Sequence, residues 1–273
     1  MVKIVTDSTA YLPWHIAEMW GVMVVPLSYV MEGEMYADEF VENLPNCRIH
    51  TEKYQIVAKT SQPAVKSFIS VFQRLRQEGH EIVAVTLSSR LSGTYSSACV
   101  AAKQVDEEHI TVVDSLTTVY GMYLMVERAV KMAATGKGRE EIARELCEMR
   151  SRIGAVLTVE TLEPLRRGGR LNVVRQSLST MLNLKPVLAI ADGIIISKGL
   201  ARGSKGALLD IAKMIPRDAK RIGVMHVAGR ERMIELMAII ENIFPGIPIE
   251  PWEIGPVIGI HAGAGAVGVA WLK

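Results

Sequence analysis

Apolar positions in the first half of the chain run in short unbroken blocks. Val2 to Thr6, Val22 to Met31, Ile82 to Leu87 and Thr111 to Asp114 each predict a buried strand. Between these blocks the spacing changes. Val65, Phe68, Ile69, Phe72 and Leu75 recur at intervals of three and one, which is one face of a helix whose first turn Pro63 can occupy. Helices are also predicted from Pro13 to Trp20, closed by Gly21, from Gly93 to Val105, from Val119 to Ala134 and over the charged stretch Arg139 to Arg150. Strand and helix alternate, so the expected arrangement is α/β, a parallel sheet with helices on both faces. Residues 32 to 60 read as polar and irregular, with one short helix at Asp38 to Leu44.

The second half has a different pattern. Ala155 to Val159 predicts a strand, followed by helical segments at Glu160 to Arg166 and Val173 to Leu182. Pro186 to Ile190 and Ile194 to Lys198 flank Ala191-Asp192-Gly193, a hairpin with Asp-Gly at its turn. Helix 204–215, strand 221–227, helix 229–243 and terminal strands follow. A hairpin beside helices predicts α+β with a mixed sheet. The expected domains are 1–152 and 153–273, with no Ser/Pro-rich linker and no internal repeat.

Bulk properties narrow the function. With 49% apolar and 22% charged residues the chain is an ordinary folded protein, and a net charge of +2 makes no case for nucleic acid. Cys47, Cys99 and Cys147 are widely spaced without a C-x-x-C, which fits a reducing, cytoplasmic setting and offers no zinc or disulfide framework. No signal-peptide region and no run of 18 apolar residues is present, so neither secretion nor a membrane span is expected. Fourteen Met against four Phe is unusual. Core filling is the plainer explanation, and a surface for flexible apolar partners is the other.

Three stretches carry candidate chemistry. Near the C-terminus, GAGAVG (Gly263 to Gly268) has the G-x-G-x-x-G spacing of a dinucleotide-binding turn. It lacks the following helix and the downstream acid, and Val267, Val269, Ala270 and Trp271 read as a strand. Attention therefore moves to His261 just before it. Lys59-Thr60-Ser61-Gln62-Pro63 and Leu87-Ser88-Ser89-Arg90-Leu91-Ser92-Gly93-Thr94 each put hydroxyls beside a helix start, where N–H groups and the helix dipole favour an anion. Asp7-Ser8-Thr9 is expected on the same rim. Simple N-capping is the plainer role for Ser61 and Ser92.

Taken together, VTDST, KTSQP, LSSRLSGTYSSA, VVDS, LEPLRRGGRL, LNLKPVL and GPVIGIHAGAGAVG span nearly the whole chain. In this order they resemble the DegV family of bacterial fatty-acid-binding proteins. Tyr11 departs from the family pattern, where an acid is expected. The resemblance implies two α/β domains with a lipid tunnel between them and a carboxylate held by Thr60, Ser92 and His261, to which the helix-start N–H of Gly93 is expected to add a donor. It implies a ligand of the palmitate, stearate or oleate class and no cofactor or metal. It further implies a carrier for a fatty acid kinase, which makes acyl phosphate for phospholipid synthesis, with Arg170 and Arg202 at the phosphate or docking face. Burying about 14 methylenes at roughly 0.8 kcal/mol each outweighs charge-assisted hydrogen bonds at roughly 1.5–3 kcal/mol each. The tail is thus expected to supply affinity and the head-group site orientation.

The chain has no G-x-x-x-x-G-K-[ST], so no ATP site of its own is expected. One rival is a serine hydrolase using Ser92, His261 and Asp7 or Asp114. Around Ser92, Arg90 and Thr94 stand where the G-x-S-x-G elbow needs glycines. The other rival is a nucleic-acid binder using Arg166, Arg167 and Arg170. It lacks a wide basic face and aromatic platforms. Solvated surface is the plainer role for these arginines and for Lys198 to Lys205.

Overall fold

The computed structural model describes residues 1–38, 59–171 and 183–273. Two expected helices, at Asp38 to Leu44 and Val173 to Leu182, lie beyond the described residues, apart from Asp38. The chain divides into two compact units. Among described residues the first holds 1–38 and 60–151 and the second Lys59, 152–171 and 183–273. The division between Ser151 and Arg152 falls one residue before the expected one.

The first unit is built on a parallel sheet of β1 (Val2–Asp7), β2 (Met23–Val25), β6 (Glu81–Thr86) and β7 (Ile110–Asp114), in the order β2-β1-β6-β7. Helices α2 (Val65–Gln77) and α3 (Thr94–Val105) pack together on the sheet. So do α4 (Val119–Ala134) and α5 (Arg139–Met149). The predicted apolar face of α2 buries Phe68, Phe72 and Leu75 in a core with Val5, Ile82 and Ala84 of the strands and Ala98, Ala101 and Ala102 of α3. Short α1 (Trp14–Trp20) ends at Gly21, whose φ of 61° suits glycine.

The expected strand Val22 to Met31 is in fact two. Pro26 has no N–H to donate, so the ladder stops after Val25 and resumes as β3 (Ser28–Met31). Strand β3 belongs to a second sheet, ordered β4-β3-β5, with β4 (Glu34–Ala37) and β5 (Lys59–Ser61). The β3–β4 hairpin turns through Glu32 and Gly33, both at positive φ. Glu-Gly is a weak turn signal, which is why 32–38 reads as irregular in the sequence. Helix α2 starts at Val65 with Ala64 as its N-cap, so Pro63 precedes the helix and Ser61 does not cap it.

The second unit has a six-stranded mixed sheet, ordered β10-β9-β8-β13-β11-β12. Its strands are β8 (Ile153–Thr158), β9 (Leu184–Ala191), β10 (Ile194–Arg202), β11 (Arg221–His226), β12 (Ile249–Glu253) and β13 (Val267–Leu272). Only β11 and β12 pair in parallel; the other neighbours are antiparallel. Asp192 and Gly193 make the two-residue turn between β9 and β10, both with φ above zero. Helices α7 (Gly203–Lys213) and α8 (Arg230–Ile243) pack together and bury Leu208, Ile211, Leu236 and Ile240 on the sheet. The helix expected at Glu160 to Arg166 is the short α6 (Glu163–Arg167). Helix α9 (Pro256–Ala262) lies between terminal strands β12 and β13 and is not expected from the sequence. Gly255 caps it and Pro256 opens it, a helix start hidden by its apolar composition.

Candidate anion-binding site

In the first unit the chain order of the parallel strands reverses between β1 and β6. Ligands of such sheets bind beyond the carboxyl ends of the strands at that point. Asp7 ends β1, and its carboxylate joins the two strand ends. Oδ2 accepts from Leu87 N–H at 2.8 Å, and Oδ1 accepts from Thr9 N–H at 3.0 Å and Thr9 Oγ1 at 2.6 Å. Burial raises the Asp7 pKa to about 6 against the lowering by these donors. Ser8 Oγ donates to Asp38 Oδ2 at 2.8 Å and accepts from Leu27 N–H at 3.1 Å. Asp7, Ser8 and Thr9 thus build the rim.

After β6 the chain makes a tight turn from Ser88 to Ser92, with Leu91 and Ser92 N–H both donating to Ser88 O. The half-buried Ser92 hydroxyl stands at the start of α3, 2.9 Å from Thr94 Oγ1 and 3.3 Å from Thr94 N. Gly93, expected as the first helical residue, is the N-cap and offers no side chain. Half-buried Thr60 lies at the middle of β5. Gln62, before Pro63, is biased toward an extended backbone. Residues two apart on an extended chain face the same way, which puts Gln62 on the side of Thr60. Gln62 Nε2 donates to Ser97 Oγ of α3 at 2.8 Å, and its carboxamide covers Gly93 so closely that a Cβ there would come 2.0 Å from Oε1. Gln62 was not singled out in the sequence. Its place two residues after Thr60 and before a proline is the signal that was available.

In the second unit His261 sits in the last turn of α9. Its ring covers Gly168, where a Cβ would meet Nδ1 at 2.2 Å. Gly168 caps α6, and Arg170 Nη1 donates to Gly168 O. Burial, then Arg170, then Arg167 hold the His261 pKa down at about 4, so the imidazole is neutral at pH 7. Burial also lowers Arg170. Glu163 pairs with Arg166. Two sequence-predicted residues, Arg170 and His261, therefore meet in one basic corner. Arg202 does not lie in a basic loop. It is the exposed last residue of β10 and the N-cap of α7.

The terminal glycines serve packing within this unit. Gly263 and Gly265 have φ of 82° and 81°, where glycine is the favoured residue. A Cβ on Gly265 would press on Glu160 Cγ at 2.9 Å, and one on Gly263 on Pro164 Cγ at 3.1 Å. Arg232 Nη1 donates both to Gly265 O and to Glu160, fastening the turn. A helix precedes the glycines and a strand follows, the reverse of the dinucleotide arrangement. Among the described residues no cluster of three or more His, Cys, Asp or Glu could hold a metal ion, and no helix is long and apolar enough to cross a membrane.

Residues 1–273 match the profile of a family described as "Uncharacterised protein, DegV family". The chain belongs to the DegV family. It is 35% identical to a DegV domain-containing protein of Halalkalibacterium halodurans, over 99% of this chain and 98% of the relative. Among solved structures it resembles a DegV family protein from Thermus thermophilus described by its fatty acid binding, at 32% identity and TM-score 0.88, covering 100% and 99% of the two chains. The Bacillus subtilis DegV, described as a fatty acid binding protein, matches at 29% identity and TM-score 0.88, covering 100% and 99%. A stearic acid-binding protein from Eubacterium ventriosum matches at 27% identity and TM-score 0.89, covering 100% and 98%. The parallel-sheet unit and the mixed-sheet unit of this chain are thus those of the DegV fold.

Proposed function

We propose that this DegV chain binds one long-chain fatty acid and acts as a carrier without an ATP site of its own. Its full-length likeness to DegV proteins described as fatty-acid binding carries this reading. The residues that this reading assigns to the carboxylate are Thr60, Ser92, the Gly93 N–H and His261. A carboxylate only accepts hydrogen bonds, so the ligands must donate. Two hydroxyls, a helix-start N–H and the ring N–H of a neutral imidazole meet that need. The neutral state of His261 leaves Arg170, beside it, as the cation that balances the ligand charge. The carrier presents the acid to a fatty acid kinase, with Arg170 and Arg202 meeting the phosphate or the partner through guanidinium groups suited to bidentate contact.

Against the hydrolase reading, Asp7 is buried and already accepts from Leu87 and Thr9, and Asp114 accepts from Ser89 and Leu116. Mass spectrometry of lipid extracted from the purified chain tests the proposal. One fatty acid per chain is expected, and Thr60→Ala or Ser92→Ala lowers retention. No stoichiometric fatty acid, together with no uptake from an excess of palmitate, overturns it.

A further inference from the structure

The connection between β7 and α4 and the first residue of α4 hold two left-handed residues that are not glycine, Leu116 at φ 53° and Val119 at φ 50°. A β-branched residue there is an outlier, because its Cβ crowds the backbone. Thr118, between them, is 8% exposed, and its Oγ1 has no hydrogen-bond partner among the described residues. A connection selected for stability alone would carry glycine or asparagine at these angles and satisfy that hydroxyl. Strain of this kind persists where the surroundings over-determine it.

Here the surroundings are the turn that carries Ser92. Thr117 O accepts from Ser88 N–H at 2.9 Å and from Ser115 Oγ at 3.0 Å. Asp114 Oδ1 accepts from Ser89 N–H at 3.1 Å and from Leu116 N–H at 3.0 Å, one oxygen bracing both segments. Ser115 N–H donates to Thr86 O at 3.0 Å, at the end of β6. Ser88 O in turn accepts from Ser92 N–H at 3.2 Å. A continuous set of hydrogen bonds therefore runs from the left-handed connection to Ser92.

We propose that residues 115–119 form a strained shelf that fixes the Ser92 turn, with Asp114 and Leu116 as positioning residues of the anion site. The inference rests on the reading of Ser92 as a carboxylate ligand. Two variants isolate the strain. Leu116→Ala and Leu116→Gly both remove the side chain, but only glycine relaxes at positive φ. Ligand-free Leu116→Gly is expected to melt roughly 2–4 °C above Leu116→Ala. Its Ser88 and Ser92 amides should nevertheless exchange with solvent at least tenfold faster, and its Kd for palmitate should rise at least fivefold over that of Leu116→Ala. Asp114→Ala should show the same loosening, and Asp114→Asn, which keeps the Oδ1 acceptor, should restore most of it. Equal amide exchange in the glycine and alanine variants overturns the shelf. Faster exchange with an affinity that neither Leu116→Gly nor Ser92→Ala changes keeps the shelf and removes Ser92 from the ligand set.

Discussion

The Gln62 carboxamide lies against Gly93 at a distance that leaves no room for a β-carbon, with 2.0 Å between Oε1 and the point where it would sit. Gly93 has φ −75° and ψ 6°, which any residue adopts, so only the movable end of the Gln62 side chain opposes a β-carbon there. Gly93→Ala should push Gln62 off Ser97 and cost about 1 kcal/mol, the worth of an ordinary hydrogen bond. Fatty acid retention should fall as the Thr60 strand loosens. In a Gln62→Ala background the same substitution should cost almost nothing. Chemical denaturation of the four chains of this cycle checks the coupling.

Gly168 and His261 repeat this logic in the second unit. Gly168 also has ordinary angles, φ −73° and ψ −8°, and only the His261 ring opposes a side chain. Gly168→Ala should turn the ring out of its buried corner. The His261 pKa, followed by NMR, should rise from about 4 toward the free value of 6.5, and the affinity for palmitate should fall about tenfold, roughly 1.4 kcal/mol.

Two buried groups give opposing pH dependences. His261 has its folded pKa depressed from 6.5 to about 4, so the native state binds fewer protons in that window. Its contribution is present above pH 6.5 and lost as the pH falls through 4. Asp7 has its folded pKa raised from 3.8 to about 6, so the native state binds more protons there. Its contribution is full below pH 3.8 and lost as the pH rises through 6. Relative to the parent, His261→Gln should lose stability as pH rises from 4 to 6.5, and Asp7→Asn should gain it from 3.8 to 6. Each difference amounts to about 3 kcal/mol over its window. Urea titrations at pH 4, 5, 6 and 7 read both slopes.

Arg170 and Arg202 should separate in experiment. Arg170 depresses His261, so Arg170→Ala should raise the His261 pKa, whereas Arg202→Ala should leave it in place. Arg202→Ala should keep fatty acid binding and lower acyl phosphate formation by a fatty acid kinase at least tenfold, about 1.4 kcal/mol. NMR titration and a phosphorylation assay check the two halves. Unchanged phosphorylation would leave Arg202 as surface.

Much of this chain is decided by local pattern. Alternating apolar blocks and helical faces determine the parallel sheet of the first unit, because strands buried on both sides must be apolar throughout. The Asp192-Gly193 hairpin follows from turn chemistry, since both residues tolerate positive φ. Ser92 at a helix start is legible for the same reason, as the free N–H groups there are a property of any helix. What spacing could not supply is which glycine does what. Gly263 and Gly265 have positive φ as well as close neighbours, whereas Gly93 and Gly168 have ordinary angles and only the Gln62 and His261 side chains lying closest over them. The break at Pro26, the apolar helix Pro256–Ala262 and the meeting of His261 with Arg170 were likewise decided by tertiary structure. The contact of His261 with Gly168, 93 positions apart, leaves no periodicity in the chain. Only packing brings an imidazole, a bare α-carbon and a guanidinium into one corner, and burial in that corner is the main cause that keeps the histidine neutral.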